Sequence, residues 1–119
     1  MREVKFRAWV KDYALMADVN FLNIDYKEIV VMINENDYEF NCGEYELMQY
    51  TGLKDKNGTE IYEGDILTGF VFKERWTGNV KYLAPYFAVL GERSHVILED
   101  LEECRVIGNI YEHPHLLGD

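Results

Sequence analysis

Proline, cysteine and serine are scarce in this 119-residue chain, which has two prolines (Pro85, Pro114), two cysteines (Cys42, Cys104) and one serine, Ser94. Each scarcity excludes something. Two lone cysteines allow one disulfide in principle, but without a signal peptide they point to a reducing compartment. Met1-Arg2-Glu3-Val4-Lys5 is not followed by the stretch of roughly 7–15 apolar residues of a secretory signal. No window reaches roughly 18 uncharged apolar residues, so no membrane-spanning helix is expected. The resulting expectation is a cytoplasmic protein that does not engage a membrane. Ser94 stands beside His95, but neighbours on a strand point to opposite faces and do not readily share a hydrogen bond. No Gly-x-Ser-x-Gly turn occurs. Cys42 and Cys104 read as small buried hydrophobes, not as activated thiolates.

Positive charge is also in short supply. Twelve Lys and Arg stand against 22 Asp and Glu, a formal charge of −10, which opposes approach to nucleic-acid backbones. Residues 1–43 carry −3 (5 basic, 8 acidic) and residues 44–119 carry −7 (7 basic, 14 acidic). Apolar material is plentiful: 48% hydrophobic and 14% aromatic residues, nine of them tyrosines, supply a core and exclude disorder of the whole chain. The length fits a single domain.

Strand patterns dominate. Val4 to Val10 alternates, with Val4, Phe6, Ala8 and Val10 on one face and Lys5, Arg7 and Trp9 on the other. Ile29-Val30-Val31-Met32-Ile33 suits a strand buried on both faces. Leu15 to Leu22 is open between strand and loop. Asn34-Glu35-Asn36-Asp37 reads as a turn, Tyr45 to Tyr50 as a strand, and Asn57-Gly58 as a tight connection. Glu63-Gly64-Asp65 turns into a strand over Ile66 to Phe72. Lys73 to Gly78 reads as a turn, Asn79 to Leu83 as its return strand, and Pro85 as a break before Tyr86 to Leu90. His95 to Leu98 and Arg105 to Tyr111 complete the strands. Only Glu99 to Cys104 suggests a helical turn. Short strands between frequent turns predict a mainly β fold, a small barrel or sandwich.

Three blocks resemble the YopX family, small proteins encoded largely by bacteriophages and prophages of Gram-positive bacteria. Leu47-Met48-Gln49-Tyr50-Thr51-Gly52-Leu53-Lys54-Asp55-Lys56-Asn57-Gly58-Thr59-Glu60-Ile61-Tyr62-Glu63-Gly64-Asp65-Ile66 is similar to its signature. Lys5-Phe6-Arg7-Ala8-Trp9 and Val106-Ile107-Gly108-Asn109-Ile110-Tyr111-Glu112 fit the same family. The first block departs from the pattern, with Val10 where an acidic residue usually follows the tryptophan, and this leaves the end of the first strand open. The resemblance implies a small β-roll or SH3-type barrel with at most one short helical turn. It implies a phage origin, and no activity or catalytic residue. The expected organisation is one domain over 1–119, an N-terminal β segment (1–43) packing on an SH3-like barrel core (44–119).

The candidate chemistry is sparse. Lys5, Arg7 and Trp9 interleave cations with an aromatic, a pattern able to track a nucleic-acid backbone weakly. The plainer reading packs Trp9 under a neighbouring segment, and the charge of −10 favours it. Glu99, Asp100, Glu102 and Glu103 form the densest acidic cluster, suited either to solubility or to mimicry of DNA phosphates. His113-Pro114-His115 beside Glu112 lacks further metal ligands at zinc spacing. Asp55-Lys56-Asn57-Gly58 begins like a calcium loop, but Glu60 and Ile66 occupy the positions that need Gly and Glu. No cofactor or metal is expected, and no catalytic residue is assigned. The function expected is that of a phage accessory protein, a non-catalytic protein-binding module for a host or phage protein. The alternatives are an acidic DNA mimic that inhibits a host nucleic-acid-binding protein, or a weak nucleic-acid binder through the first strand. Homo-oligomerisation through strand edges stays open.

Overall fold

The computed structural model describes residues 4–117, and among them the chain is mainly β, with every strand pairing antiparallel. Two compact units divide inside one strand, the first ending at Gln49 and the second starting at Tyr50.

In the first unit, β1 (Phe6–Val10), β2 (Leu15–Asn23), β3 (Glu28–Ile33) and β4 (Asn36–Phe40) lie in the order β4-β3-β2-β1. The near half of β5 (Tyr45–Lys54) pairs with the other side of β1, from Val10↔Tyr45 to Phe6↔Gln49. The alternation seen in the first strand sets its facing: Ala8 and Val10 are fully buried, joined by Ala17, Ile29, Val31 and Phe40. Each aliphatic side chain buried in this way contributes on the order of 2 kcal/mol. Val4, expected to continue that face, lies outside β1 and is exposed.

β3 corrects an expectation. Ile29 and Val31 are buried, but Met32 on the opposite face is 54% exposed, so the β-branched run has one covered face and not two. Leu15 to Leu22 proves to be strand. β4 carries no strand signal in its Asn36-Asp37-Tyr38-Glu39 run, and it forms because Asn34 and Glu35 both take positive φ (52° and 69°) and fold the chain back. A two-residue connection of this hand matches strand twist.

The second unit holds a five-stranded sheet in the order β10-β9-β8-β7-β11. Its strands are β7 (Asp65–Val71), β8 (Glu74–Leu83), β9 (Tyr86–Leu90), β10 (His95–Ile97) and β11 (Glu102–Asn109). The far half of β5 pairs with β6 (Glu60–Tyr62). Ile61, Leu67, Val80, Phe87, Val89, Leu98 and Leu101 form its core. Among the described residues no closed barrel forms. Its outer strands explain this within the sheet: β10 has three residues, and β11 is interrupted by register shifts between Glu102 and Arg105 and between Val106 and Gly108. Neither presents a long regular edge.

Three 3₁₀ turns, at Lys11–Tyr13, Leu98–Asp100 and Pro114–Leu117, replace the single helical turn expected over Glu99 to Cys104. The Leu98, Leu101, Cys104 spacing marks burial, not a helix: Leu98 and Leu101 enter the core, and Glu102 already begins β11. The last strand accordingly runs Glu102–Asn109, earlier than the expected Arg105 to Tyr111. The Lys73 to Gly78 turn is likewise corrected. Phe72 and Lys73 make the connection at φ 49° and 69°, and β8 starts at Glu74. Without glycine or asparagine there, the local pattern hid the turn. Among the described residues no helix is long and apolar enough to cross a membrane.

Gly78 is fixed by a close approach. A Cβ there would run into the Leu90 carbonyl oxygen and stand 2.6 Å from its carbon, both backbone atoms that cannot swing away. Gly78→Ala should therefore lower the unfolding free energy by about 2 kcal/mol or more. Gly43→Ala, with nothing within 4 Å of the new methyl and a φ of 94°, should cost about 1 kcal/mol. Urea unfolding of the two variants checks the ranking.

Candidate functional site

The first-strand candidates sit among acids. Arg7 pairs across to Asp18 on β2, and Trp9 lies between Met16 of β2 and Glu46 of β5. Lys11 donates to Glu46 Oε1 at 3.1 Å. Lys5, Arg7 and Trp9 are all half-buried and engaged by neighbours. The stripe is thus part of a paired central strand, with Asp18 opposite Arg7 in register and the Lys11 to Glu46 ion pair beside it.

Glu99, Asp100, Glu102 and Glu103 are all exposed, flanking Leu101, which with Leu98 just before them is buried in the core. They do not stand alone. Glu103, in the first bulge of β11 at φ 50°, lies 3.9 Å from Lys56 Nζ. Glu102 and Glu103 also line a shallow depression with Phe70 and Lys73. A neighbouring cavity of about 140 Å³ sets Glu103 beside Arg75 and Arg105. The Arg75 guanidinium lies 5.3 Å from the Phe70 ring centroid. At the tip of this hairpin Phe72 is 92% exposed in a left-handed backbone conformation. The residues Phe70, Phe72, Lys73, Arg75 and Arg105 gave no site signal in the sequence, since a β-hairpin and a bulged partner strand assemble them.

The turn after β5 is organised by Asp55. Its Oδ1 accepts the N–H of Asn57 at 2.8 Å and of Thr59 at 2.9 Å, and its Oδ2 accepts the N–H of Val106 at 2.9 Å. Burial of the carboxyl works against its charge. The N–H groups of Val106, Thr59 and Asn57, with Arg105 nearby, outweigh that and hold it below the usual carboxylate range. Both oxygens are thereby committed to the backbone, and the residue that opened a calcium-like pattern is a structural acceptor. Asp65 plays a related part at the next turn, where its buried carboxylate accepts the Tyr62 N–H at 2.8 Å.

His113 and His115 stack edge-on with ring centroids 6.3 Å apart. His113 Nδ1 accepts the Asn109 N–H at 3.2 Å, and Asn109 in turn binds Glu112 through its side-chain amide at 2.8 Å. Among the described residues no group of three or more His, Cys, Asp or Glu is placed to hold a metal ion. Both cysteines are free. Cys42 is exposed, contrary to the buried reading, because it lies in the turn after β4. Cys104 packs against the second core, and burial together with the Asp55 charge pushes its thiol above the usual range, away from thiolate reactivity. Ser94 and His95 are both exposed, with Ser94 before β10 and His95 at its start.

The other surface of note is apolar. Tyr13, Phe21, Ile24, Tyr26, Met32 and Tyr38 of the first unit are each 42% exposed or more, with Phe21, Ile24 and Tyr26 gathered about the β2–β3 connection. That connection is held by the Tyr45 hydroxyl, which donates to the Lys27 carbonyl at 2.6 Å. The family described as YopX protein matches residues 5–118, the span that holds both cores and every strand described above. The chain belongs to the YopX family. Among solved structures it is similar to the crystal structure of protein EF1440 from Enterococcus faecalis. The two are 28% identical with a TM-score of 0.69, over 98% of this chain and 99% of that one. No curated protein matches.

Two predictions follow from this YopX-family geometry. Asp55→Asn turns an N–H₂ toward one of the three donors and should cost about 2 kcal/mol. Because the folded pKa of Asp55 is depressed, its contribution is full at neutral pH and fades as pH falls through the carboxylate range. The stability gap between wild type and Asp55→Asn should therefore narrow below about pH 4 in urea titrations at several pH values. Replacing the tip, Phe72→Asn with Lys73→Gly, removes two strained left-handed residues and should raise stability by about 1 kcal/mol in the same assay.

Proposed function

We propose that this chain is a phage- or prophage-encoded accessory protein that works in the bacterial cytoplasm as a non-catalytic protein-binding module. The exposed apolar surface of the first unit carries the reading. Phe21, Ile24 and Tyr26 are 58%, 78% and 72% exposed around one strand connection. Exposed apolar groups gathered in this way mark interaction sites more often than neutral surface. Tyrosine and phenylalanine supply large contact area with few torsions to immobilise. The reading does not require an SH3-type barrel or a barrel groove, and it takes the second unit by itself as β-roll-like.

Catalysis forms no part of the proposal. The titratable groups that do come together, Asp55 in its turn and Glu112 and His113 about Asn109, spend hydrogen bonds on backbone and neighbouring side chains. The DNA-mimic alternative draws on Glu99, Asp100, Glu102 and Glu103, but Lys56, Lys73 and Arg75 intrude on that surface. A phosphate-like track needs an uninterrupted row of one sign.

Tagged protein recovered from bacteria during phage infection, after nuclease treatment, should retain a specific protein partner in near-stoichiometric amount. Phe21→Asp combined with Tyr26→Asp should abolish that capture and leave the melting temperature nearly unchanged. Recovery of no specific partner overturns the reading. Recovery of proteins that duplex DNA then displaces favours the mimic instead.

A further inference from the structure

The β2–β3 ladder is shorter than either of its strands. It extends from Asn23↔Glu28 to Val19↔Val31, whereas β2 reaches back to Leu15 and β3 onward to Ile33. Over the remaining stretch each strand is paired only on its far side, Leu15 to Asp18 with β1 and Met32 and Ile33 with β4. The strands part at the bulge, where Asn20 falls in the register shift between Val19 and Phe21. Their near sides border a groove of about 550 Å³ lined by Met16, Asp18 and Asn20, by Met32 and Ile33, and by Glu35 from the turn.

The chemistry of this groove is specific. Strand sides that end a ladder early present backbone N–H and C=O groups that water or a partner must meet, and an added extended segment meets them in series. Met16 and Met32 give an unbranched, deformable apolar lining that accommodates varied side chains. Asp18 and Glu35 are exposed carboxylates, and no Lys or Arg lines the groove. Alternation along an extended segment presents one set of side chains to an apolar floor and the other to the rim.

We infer that this groove receives an extended segment of a partner protein, paired to the open strand side and alternating lysine or arginine with apolar residues. The inference rests on the protein-binding reading and goes beyond it, adding a second contact at the opposite end of the β2–β3 pair from Phe21, Ile24 and Tyr26 and naming the chemistry of the partner segment that fills it. A second copy of this chain is a poor occupant. Each copy carries −10, and the cation-bearing alternating stretch, Lys5 to Trp9, lies along a strand already paired on both sides in β1.

The test uses ¹⁵N-labelled full-length protein and a capped synthetic peptide, Lys-Val-Lys-Val-Lys-Val-Lys, with two controls. One control has Glu in place of every Lys, and the other has Pro in place of the central Val, which removes an N–H. The expected result is saturable amide shifts confined to residues 15–20 and 32–35. Binding should weaken about tenfold or more for either control, and for the Glu35→Lys protein. Glu35 lies in an exposed turn, and unchanged shifts elsewhere verify that the variant is folded. Shifts outside the groove, equal binding of the Lys and Glu peptides, or no saturation overturns the inference. Concentration-dependent shifts of the same amides without peptide overturn it in favour of a second copy. Capture from infected cells separates the two readings. A partner retained equally by wild type and Glu35→Lys defeats the groove assignment alone. Peptide binding in the groove with no captured partner defeats the module reading alone.

Discussion

Three backbone N–H groups converge on the Asp55 carboxylate, two from its own turn and one from Val106, 51 positions further along the chain. The neighbouring Lys56 N–H adds a bond to the Cys104 carbonyl at 2.9 Å, made available because Cys104 lies in a bulge and does not pair with β7. The turn that joins β5 to β6 is thus tied to the edge strand β11. With both bulges of β11 held in register, Leu98 and Leu101 reach the core just ahead of it. A slip of one residue there would turn every side chain of the strand to the wrong face. Asn109 repeats the device at the other end of the strand, accepting the N–H groups of Tyr111 and Glu112 and shaping the chain that follows.

The sequence disclosed those parts of the fold that local chemistry determines. Alternation in β1, the Asn57-Gly58 turn and the Glu63-Gly64-Asp65 turn were legible because a face, or a residue that accepts positive φ, announces each one. Phe72 and Lys73 at positive φ were not legible, since the hairpin imposes a conformation those residues do not favour. The open face of β3 was hidden for another reason: β-branched residues report strand, not how many sides are covered. Of the candidate sites, the acidic cluster could be read as four residues, but the cations beside it come from a hairpin whose pairing is non-local. The groove between β2 and β3 was illegible altogether, because a ladder that stops early leaves no mark on composition or periodicity.

Charge and apolar surface divide the molecule's behaviour. A formal charge of −10 opposes the approach of like-charged copies, and this works against indiscriminate association through the tyrosine, phenylalanine and methionine exposed on the first unit. The edge strand β4 adds to this protection with Asp37 and Glu39. Beside it on β3, the Glu28 carboxyl is raised above the usual range by a hydrogen bond to Glu39, by desolvation and by the Glu39 charge, the cost of crowding acids along this edge. On the protein-binding reading proposed above, such a surface would discriminate by repulsion as well as attraction, refusing acidic segments that match it in shape alone.

The short β2–β3 ladder has a mechanical consequence. The β3–β4 hairpin is joined to β2 at four paired positions, all toward one end, with Tyr45 pinning the loop at that same end. A hairpin fastened by backbone pairing at one end would open as a flap hinged there, lifting Ile33 from the first core while Val19↔Val31 and the pairs beyond it stay closed. Opening of this kind costs less than unfolding the sheet, and amide protons at the tip of β3 would exchange by that cheaper route. The seam therefore divides one continuous run of strands into a stretch held by backbone pairing and a stretch held at its tip by the packing of a single side chain, Ile33.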